Sequence, residues 1–402
     1  EKIQCYYEKF QAWTATTADT WETQSLSAYS VPASAVVEIA VRNDNTGTER
    51  YGGVRAVGSS LDRRLLLNQA TSGGVDVLVM HVQTNASSQI QHYSDVTADV
   101  DFVLLGYWTC GTYVEAFSTF TAGASTTWTD KNLCSYGVGP GHIAELVMTN
   151  DDLAAEREAG VRTNGSSLER RLNIHQASGG GVDTATMFVE ADTSTGSTIE
   201  VYAQDDTDVD FYLVGYWSEA PLAYTELFTD VGSPSSSATW QDVDLTASAI
   251  SDTAHAEFVL ANEDTANERN LGIRENGSAL SRFLNNQEAD AGGADFSRMH
   301  IASDVTATIE WYHSSIGSAN SFYLVGEWDS CNSSTSYVIT DLGAITGTSS
   351  SLGWKVNSSE KVAGYEENAS GNPTAWILDC GTFTSLGTLG GSYAEAHGVN
   401  DS

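Results

Sequence analysis

Lysine is scarce in this chain: Lys2, Lys9, Lys131, Lys355 and Lys361 are the whole supply in 402 residues. Basic residues total 18 against 53 acidic ones, a formal net charge of −35. A field of that sign repels nucleic acid and anionic lipid, which excludes both as ready partners. It suits high salt, multivalent cations, or simply a secreted acidic surface. No run of 18 or more apolar residues occurs, so no transmembrane helix is expected. His-x-His, His-Glu-x-x-His and Cys-x-x-Cys are absent, which removes the usual zinc signatures. The Gly58-Ser59-Ser60-Leu61 turn lacks the Gly-x-Ser-x-Gly pattern of a nucleophile elbow. No secretory signal is visible and the chain begins at Glu1, so it reads as a processed chain or a fragment.

Cysteines are few but placed suggestively. Cys5 and Cys110 bracket the first of three repeats, so a disulfide between them would close that unit. Cys331 holds the matching exit position of the third repeat and has Cys380 as a candidate partner, which leaves Cys134 over. Asn-x-Ser/Thr sequons begin at Asn85, Asn164, Asn276, Asn332, Asn357, Asn368 and Asn400, a pattern compatible with a glycosylated surface protein.

What the chain has is triplication. It says Asp101-Phe102-Val103-Leu104-Leu105-Gly106-Tyr107-Trp108, then Asp210-Phe211-Tyr212-Leu213-Val214-Gly215-Tyr216-Trp217, then Ser321-Phe322-Tyr323-Leu324-Val325-Gly326-Glu327-Trp328. Each copy opens with Tyr-x-x-x-Phe, at Tyr6, Tyr113 and Tyr224. A repeat of about 105 residues is a whole domain copied in tandem. Alternating strands follow, with Val37, Ile39 and Val41 facing one way and Glu38, Ala40 and Arg42 the other, so one face is expected to be buried. Asn164-Gly165 and Asn276-Gly277 mark hairpins. Met80, Met187 and Met299 recur in one register and read as core filling. Seven or eight strands per copy, with turns every 8–12 residues, give an all-β fold of tandem β-sandwiches, jelly-roll-like in topology. The expected boundaries are 1–111, 112–222 and 223–335, with a different segment at 336–402. Links of only a few residues predict stiff stacking into a rod.

Two constellations invite chemistry. Arg50/157/269, Arg55/162/274 and Arg63/170/282 recur beside Glu38/145/257 and Glu49/156/268. They read as a cationic furrow for anionic glycan or, preferably, as arginine–glutamate bracing of a sheet. Asp205, Asp206, Asp208 and Asp210 form an acidic loop able to supply oxygen ligands to Ca2+; solvated acidic loops are the alternative. Exposed aromatics such as Trp311, Tyr51 and Tyr107 offer stacking surfaces for sugars. No catalytic residue is assigned, because triplication of whole domains argues for scaffold over enzyme.

The last segment changes pattern. Asp341-Leu342-Gly343 is followed by Gly353-Trp354, Ala375-Trp376-Ile377-Leu378-Asp379, Ser385-Leu386-Gly387-Thr388-Leu389-Gly390-Gly391-Ser392 and Ala396-His397-Gly398-Val399-Asn400. This resembles the HAF-type extracellular repeat family, although Ala344-Ile345-Thr346-Gly347 departs from its Thr-Leu-Gly-Gly phrase. The resemblance implies a propeller-like extracellular module without catalytic residues, and a natural chain continuing past Ser402. The expectation is therefore an extracellular structural or adhesive protein that self-associates into a filament, sheath or surface layer. A carbohydrate-binding array and a virus fibre or capsid protein are the alternatives.

Overall fold

The structure is a computed structural model. It describes residues 4–329 apart from 72, 195, 249, 251–253, 290–291 and 316–319, together with 350–356, 361–367, 372–379, 382–388 and 391–400. Among the described residues there is no α-helix.

The first repeat contains β1 (Tyr6–Thr14), β2 (Thr20–Ser25), β3 (Val36–Asn43), β4 (Arg50–Ala56), β5 (Arg64–Leu67), β6 (Asp76–Gln83), β7 (Gln89–Ser94) and β8 (Val100–Trp108). They form two four-stranded antiparallel sheets, ordered β1-β8-β3-β6 and β2-β7-β4-β5. Val37, Ile39, Met80 and Leu104 of the first sheet share a buried cluster with Val54, Leu65 and Ile90 of the second, so the two sheets make a sandwich.

The second repeat matches it with β9 (Thr112–Phe120), β10 (Thr127–Asn132), β11 (Ile143–Asn150), β12 (Arg157–Thr163), β13 (Arg171–Ile174), β14 (Asp183–Glu190), β15 (Thr198–Ala203) and β16 (Val209–Glu219). The third has β17 (Ala223–Asp230), β18 (Gln241–Asp244), β19 (His255–Asn262), β20 (Arg269–Glu275), β21 (Phe283–Asn286), β22 (Asp295–Ala302), β23 (Thr308–His313) and β24 (Asn320–Asp329). The strand orders β14-β11-β16-β9 with β10-β15-β12-β13, and β17-β24-β19-β22 with β18-β23-β20-β21, reproduce the first repeat. The Asn-Gly turns differ from the two-residue hairpin expected. Gly160 pairs with Arg171, so seven residues connect β12 to β13. Only the glycine, at φ +78°, is left-handed.

The three sandwiches do not stack into a rod. They close into a ring, each touching both others. Isolated parallel bridges join Leu67 to Val182, Ile174 to Ala294 and Asn286 to Val75, one at each seam. The arginine just before β5, β13 and β21 crosses the same seams. Arg63 donates to the Val214 carbonyl and to Glu115; Arg170 donates to the Val325 carbonyl and to Glu226; Arg282 donates to the Leu105 carbonyl and to the Tyr6 hydroxyl. The cores run on across these seams: Ala40, Val79 and Leu105 of the first repeat share a cluster with Phe258 and Leu324 of the third. The links are short because each turns the chain about a common axis, which corrects the expectation of end-to-end stiffness.

A second compact unit gathers residues 132–141 and 191–198 with the C-terminal stretch. Its strands β25 (Ser350–Val356), β26 (Val362–Glu367), β27 (Pro373–Asp379) and β28 (Thr382–Gly387) form one antiparallel meander in chain order. Ala363, Ala375, Trp376 and Leu378 are among the buried residues of these strands.

Candidate functional site: the buried axis of the ring

The sheets containing β3, β11 and β19 face the axis, and their outer faces are not solvated. Glu38, Glu145 and Glu257 are all fully buried, a correction to the one-sided burial expected for these strands. The neighbouring sandwich, not water, covers the second face.

Aromatic rings stack along the axis in two layers. Trp108, Trp217 and Trp328 form a triangle with centroids 5.9, 5.5 and 6.1 Å apart. His81, Phe188 and His300 form another, at 5.2, 5.4 and 5.6 Å. Beside them lie the three glutamates, each bonded to the phenol that opens its own repeat. The Tyr6 hydroxyl donates to Glu38 at 2.7 Å, the Tyr224 hydroxyl donates to Glu257 at 2.9 Å, and Tyr113 donates to Glu145.

The repeats diverge here in a compensating way. His81 Nδ1 lies 2.9 Å from Glu145, and His300 Nδ1 lies 2.8 Å from Glu38. The third histidine position holds Phe188, so Glu257 has no imidazole; it accepts from the Phe188 backbone N–H at 3.1 Å. Arg298 takes up the missing charge. It pairs with Glu145, reaches Glu257 at 3.9 Å and stacks over Phe188 at 4.7 Å. Its counterparts in the other repeats are Val79 and Thr186. Burial opposes ionisation of Glu38, but His300, His81 and Arg282 outweigh it and hold the carboxyl well below its usual range. Glu145 is held down in the same way, against burial, by His81, Arg298 and Tyr113. Burial pushes the three phenols well up, so they stay protonated donors.

Further along the axis, one carboxylate from each repeat meets the other two. Asp76, Asp183 and Asp295 are fully buried, with ligand-type oxygens all within 4.8 Å of one another. Each begins the strand after the Gly-x turn: Gly74-Val75-Asp76, Gly181-Val182-Asp183 and Gly293-Ala294-Asp295. Sequence reasoning missed this trio, although its triplicate spacing was visible.

The residues singled out from sequence divide by location. Asp205 is capped by Thr207, Asp206 accepts from the Gly123 N–H, and Asp208 pairs with Arg157 at 2.8 Å. Among the described residues, the ligand-type groups that lie within 4.8 Å of one another do not include Asp205, Asp206, Asp208 or Asp210. The arginines brace, as preferred, and several do so between repeats. Arg50 pairs with Asp99, Arg162 with Glu200 and Arg274 with Glu310. Glu49 packs against Gly179 and Gly181 of the next repeat, Glu156 against Gly293, and Glu268 against Gly73. The three methionines are fully buried. Tyr51 is exposed, Tyr107 is buried, and Trp311 packs against the third core. Cys5 and Cys110 are disulfide-linked, with Cα atoms 5.6 Å apart across 105 residues. Cys134 is disulfide-bonded as well, which corrects the reading that leaves it over. Asn85 donates to Gln89 and Asn276 to Asp304, while Asn164 lies at its turn. Cys331, Cys380, Asn332, Asn357 and Asn368 lie outside the described residues.

No protein-family profile matches the chain. No curated protein matches it either. Among solved structures it is similar to the N-terminal CBM22-1-CBM22-2 tandem domain of Paenibacillus barcinonensis Xyn10C, at 9% identity and a TM-score of 0.15, covering 55% of this chain and 95% of that one. It is also similar to a chain of the lipid-containing bacteriophage PM2, at 9% identity and a TM-score of 0.10, covering 77% and 87%. At those scores neither likeness carries an argument about this chain, and its all-β sandwich architecture rests on its own strands.

Proposed function

We propose that the chain is an extracellular structural or adhesive protein whose three fused sandwiches serve as a building block of a surface assembly. One observation carries this reading. The chemistry-bearing side chains converge on the axis, where they are buried and spent on holding the repeats together, while three similar outer sheets face solvent. Such a molecule displays surfaces. The Cys5–Cys110 disulfide supports an oxidising, extracellular setting. Self-association would run through the outer sheets or their edges. Electron microscopy of the native chain, with sedimentation across concentration, tests it. Ordered polymers or a lattice support the reading; a monomer at every concentration that adheres to no surface rejects it.

A carbohydrate-binding role is the second reading, favoured by the outer sheets. Arg55 stacks on Trp21 at 4.1 Å, Arg162 on Trp128 at 4.1 Å and Arg274 on Trp240 at 4.2 Å, making one aromatic stripe per repeat. Aromatic faces of this kind suit sugar rings. Glycan-array binding that is lost on replacing Trp21, Trp128 and Trp240 together by alanine would favour it over the first.

A further inference from the structure

We propose that Asp76, Asp183 and Asp295 bind one hard divalent cation on the axis of the ring, calcium before magnesium, with the buried Gln287 amide orienting Asp183. Asp76 and Asp295 are each anchored through one oxygen, and Asp183 through both. Asp76 Oδ2 accepts from the Asn68 N–H at 2.6 Å, Asp295 Oδ2 accepts from the Gln287 N–H at 3.0 Å, and Asp183 Oδ2 lies 3.1 Å from His175 Nδ1. Asp183 Oδ1 accepts from the Thr184 N–H at 2.7 Å. The Oδ1 atoms of Asp76 and Asp295 are buried without a hydrogen-bond partner.

An independent group points to the same place. Gln287 is fully buried, and neither its Nε2 nor its Oε1 makes a well-formed hydrogen bond. Its amide N–H nevertheless lies beside the Asp183 carboxylate, close enough to favour the ionised form, and its Oε1 stays buried without a partner. A buried polar atom left unsatisfied is costly. A cation between the carboxylates would turn that cost into coordination through the free Oδ1 atoms of Asp76 and Asp295.

Size and charge agree. Calcium–oxygen bonds of 2.3–2.6 Å allow ligand oxygens to stand up to roughly 4.6–5.2 Å apart, and these oxygens lie within 4.8 Å of one another. The glutamates elsewhere on the axis receive Arg298, Arg282 and imidazoles. Burial and the charge of Asp183 press on both Asp76 and Asp295, and backbone N–H groups offset them in part, while the His175 imidazole lies against Asp183. Among the described residues, no arginine pairs with this layer as Arg298 and Arg282 do with the glutamates.

The test uses the full chain. Metal content is measured by mass spectrometry before and after chelator dialysis, and calcium is then titrated back while thermal unfolding is followed. One tightly held equivalent per chain, a melting temperature lowered by chelator and restored by calcium, and loss of both in Asp183→Asn and Asp295→Asn are expected. Gln287→Leu should weaken affinity about 10–100-fold. Asp205→Asn, in the exposed acidic loop, should change neither. A metal-free chain indifferent to calcium, magnesium and manganese overturns the proposal, and so does a calcium response that survives Asp183→Asn. Should the asparagine variants fail to fold, the stoichiometry of the unaltered chain decides, and no tightly bound ion at saturating calcium overturns it.

Discussion

Gly106, Gly215 and Gly326 each sit against the phenol that opens their own repeat. A Cβ at any of them would run into Tyr6, Tyr113 or Tyr224. Their φ values are not left-handed, so the demand is for space alone. Gly215→Ala must push Tyr113 off Glu145, and it is expected to lower unfolding free energy by about 1–3 kcal/mol in denaturant titration. Glu275 is a different case. At the seam between third and first repeats it faces Glu8, where the other seams place Ala56 and Thr163. Burial first, and Glu8 second, raise its carboxyl from 4.5 to about 7, with Arg282 opposing. A folded pKa above the unfolded one means that the folded chain binds the extra proton between those values. Stability from this group is therefore full below about pH 4.5 and lost as pH rises to about 7. Glu275→Gln should raise stability at pH 8 by about 1–2 kcal/mol, allowing for partial solvent screening, and flatten the pH profile in that window.

At the scale of elements, the last strand of each sandwich carries a bulge that serves its neighbour. In β8, Leu105 drops out of register with both β1 and β3, and β16 does the same at Val214. The freed carbonyls of Leu105, Val214 and Val325 accept from Arg282, Arg63 and Arg170 of the adjacent repeat. A bulge leaves one residue outside the ladder, and here that residue becomes the seam's acceptor. Arg170 also reaches Val161, Phe188, Tyr224 and Glu226. Arg170→Ala should cost about 3–5 kcal/mol by strand-buried charge left unpaired. Arg64→Ala, which removes a partly exposed pair with Asp62, should cost under about 1 kcal/mol on the same assay. The strands themselves were legible in the sequence, because period-two alternation and glycine turns are local signals. The ring was not. Glu38 reads as solvent-facing when only its own sandwich is considered, and burial by a segment more than 100 residues away leaves no local trace. Asp76, Asp183 and Asp295 were within reach, since Gly-x-Asp recurs in all three copies.

For the molecule as a whole, three fused sandwiches share clusters that cross every seam. Residues 6–329 should therefore unfold in one cooperative transition by calorimetry, with no separate melting of single repeats. Reduction or Cys110→Ser opens a 105-residue loop and should lower stability by about 2–5 kcal/mol without dividing that transition.

A ring of three identical, separate chains must repeat on its axis whatever any one of them puts there. Three guanidinium groups at the position of Arg298 would crowd and repel each other. Joined in a single polypeptide, the copies are free to differ: one supplies Arg298 while its siblings keep valine and threonine, and a lone cation serves two acids of different origin. Fusion here is a licence for asymmetry at the one place where symmetry would be most costly.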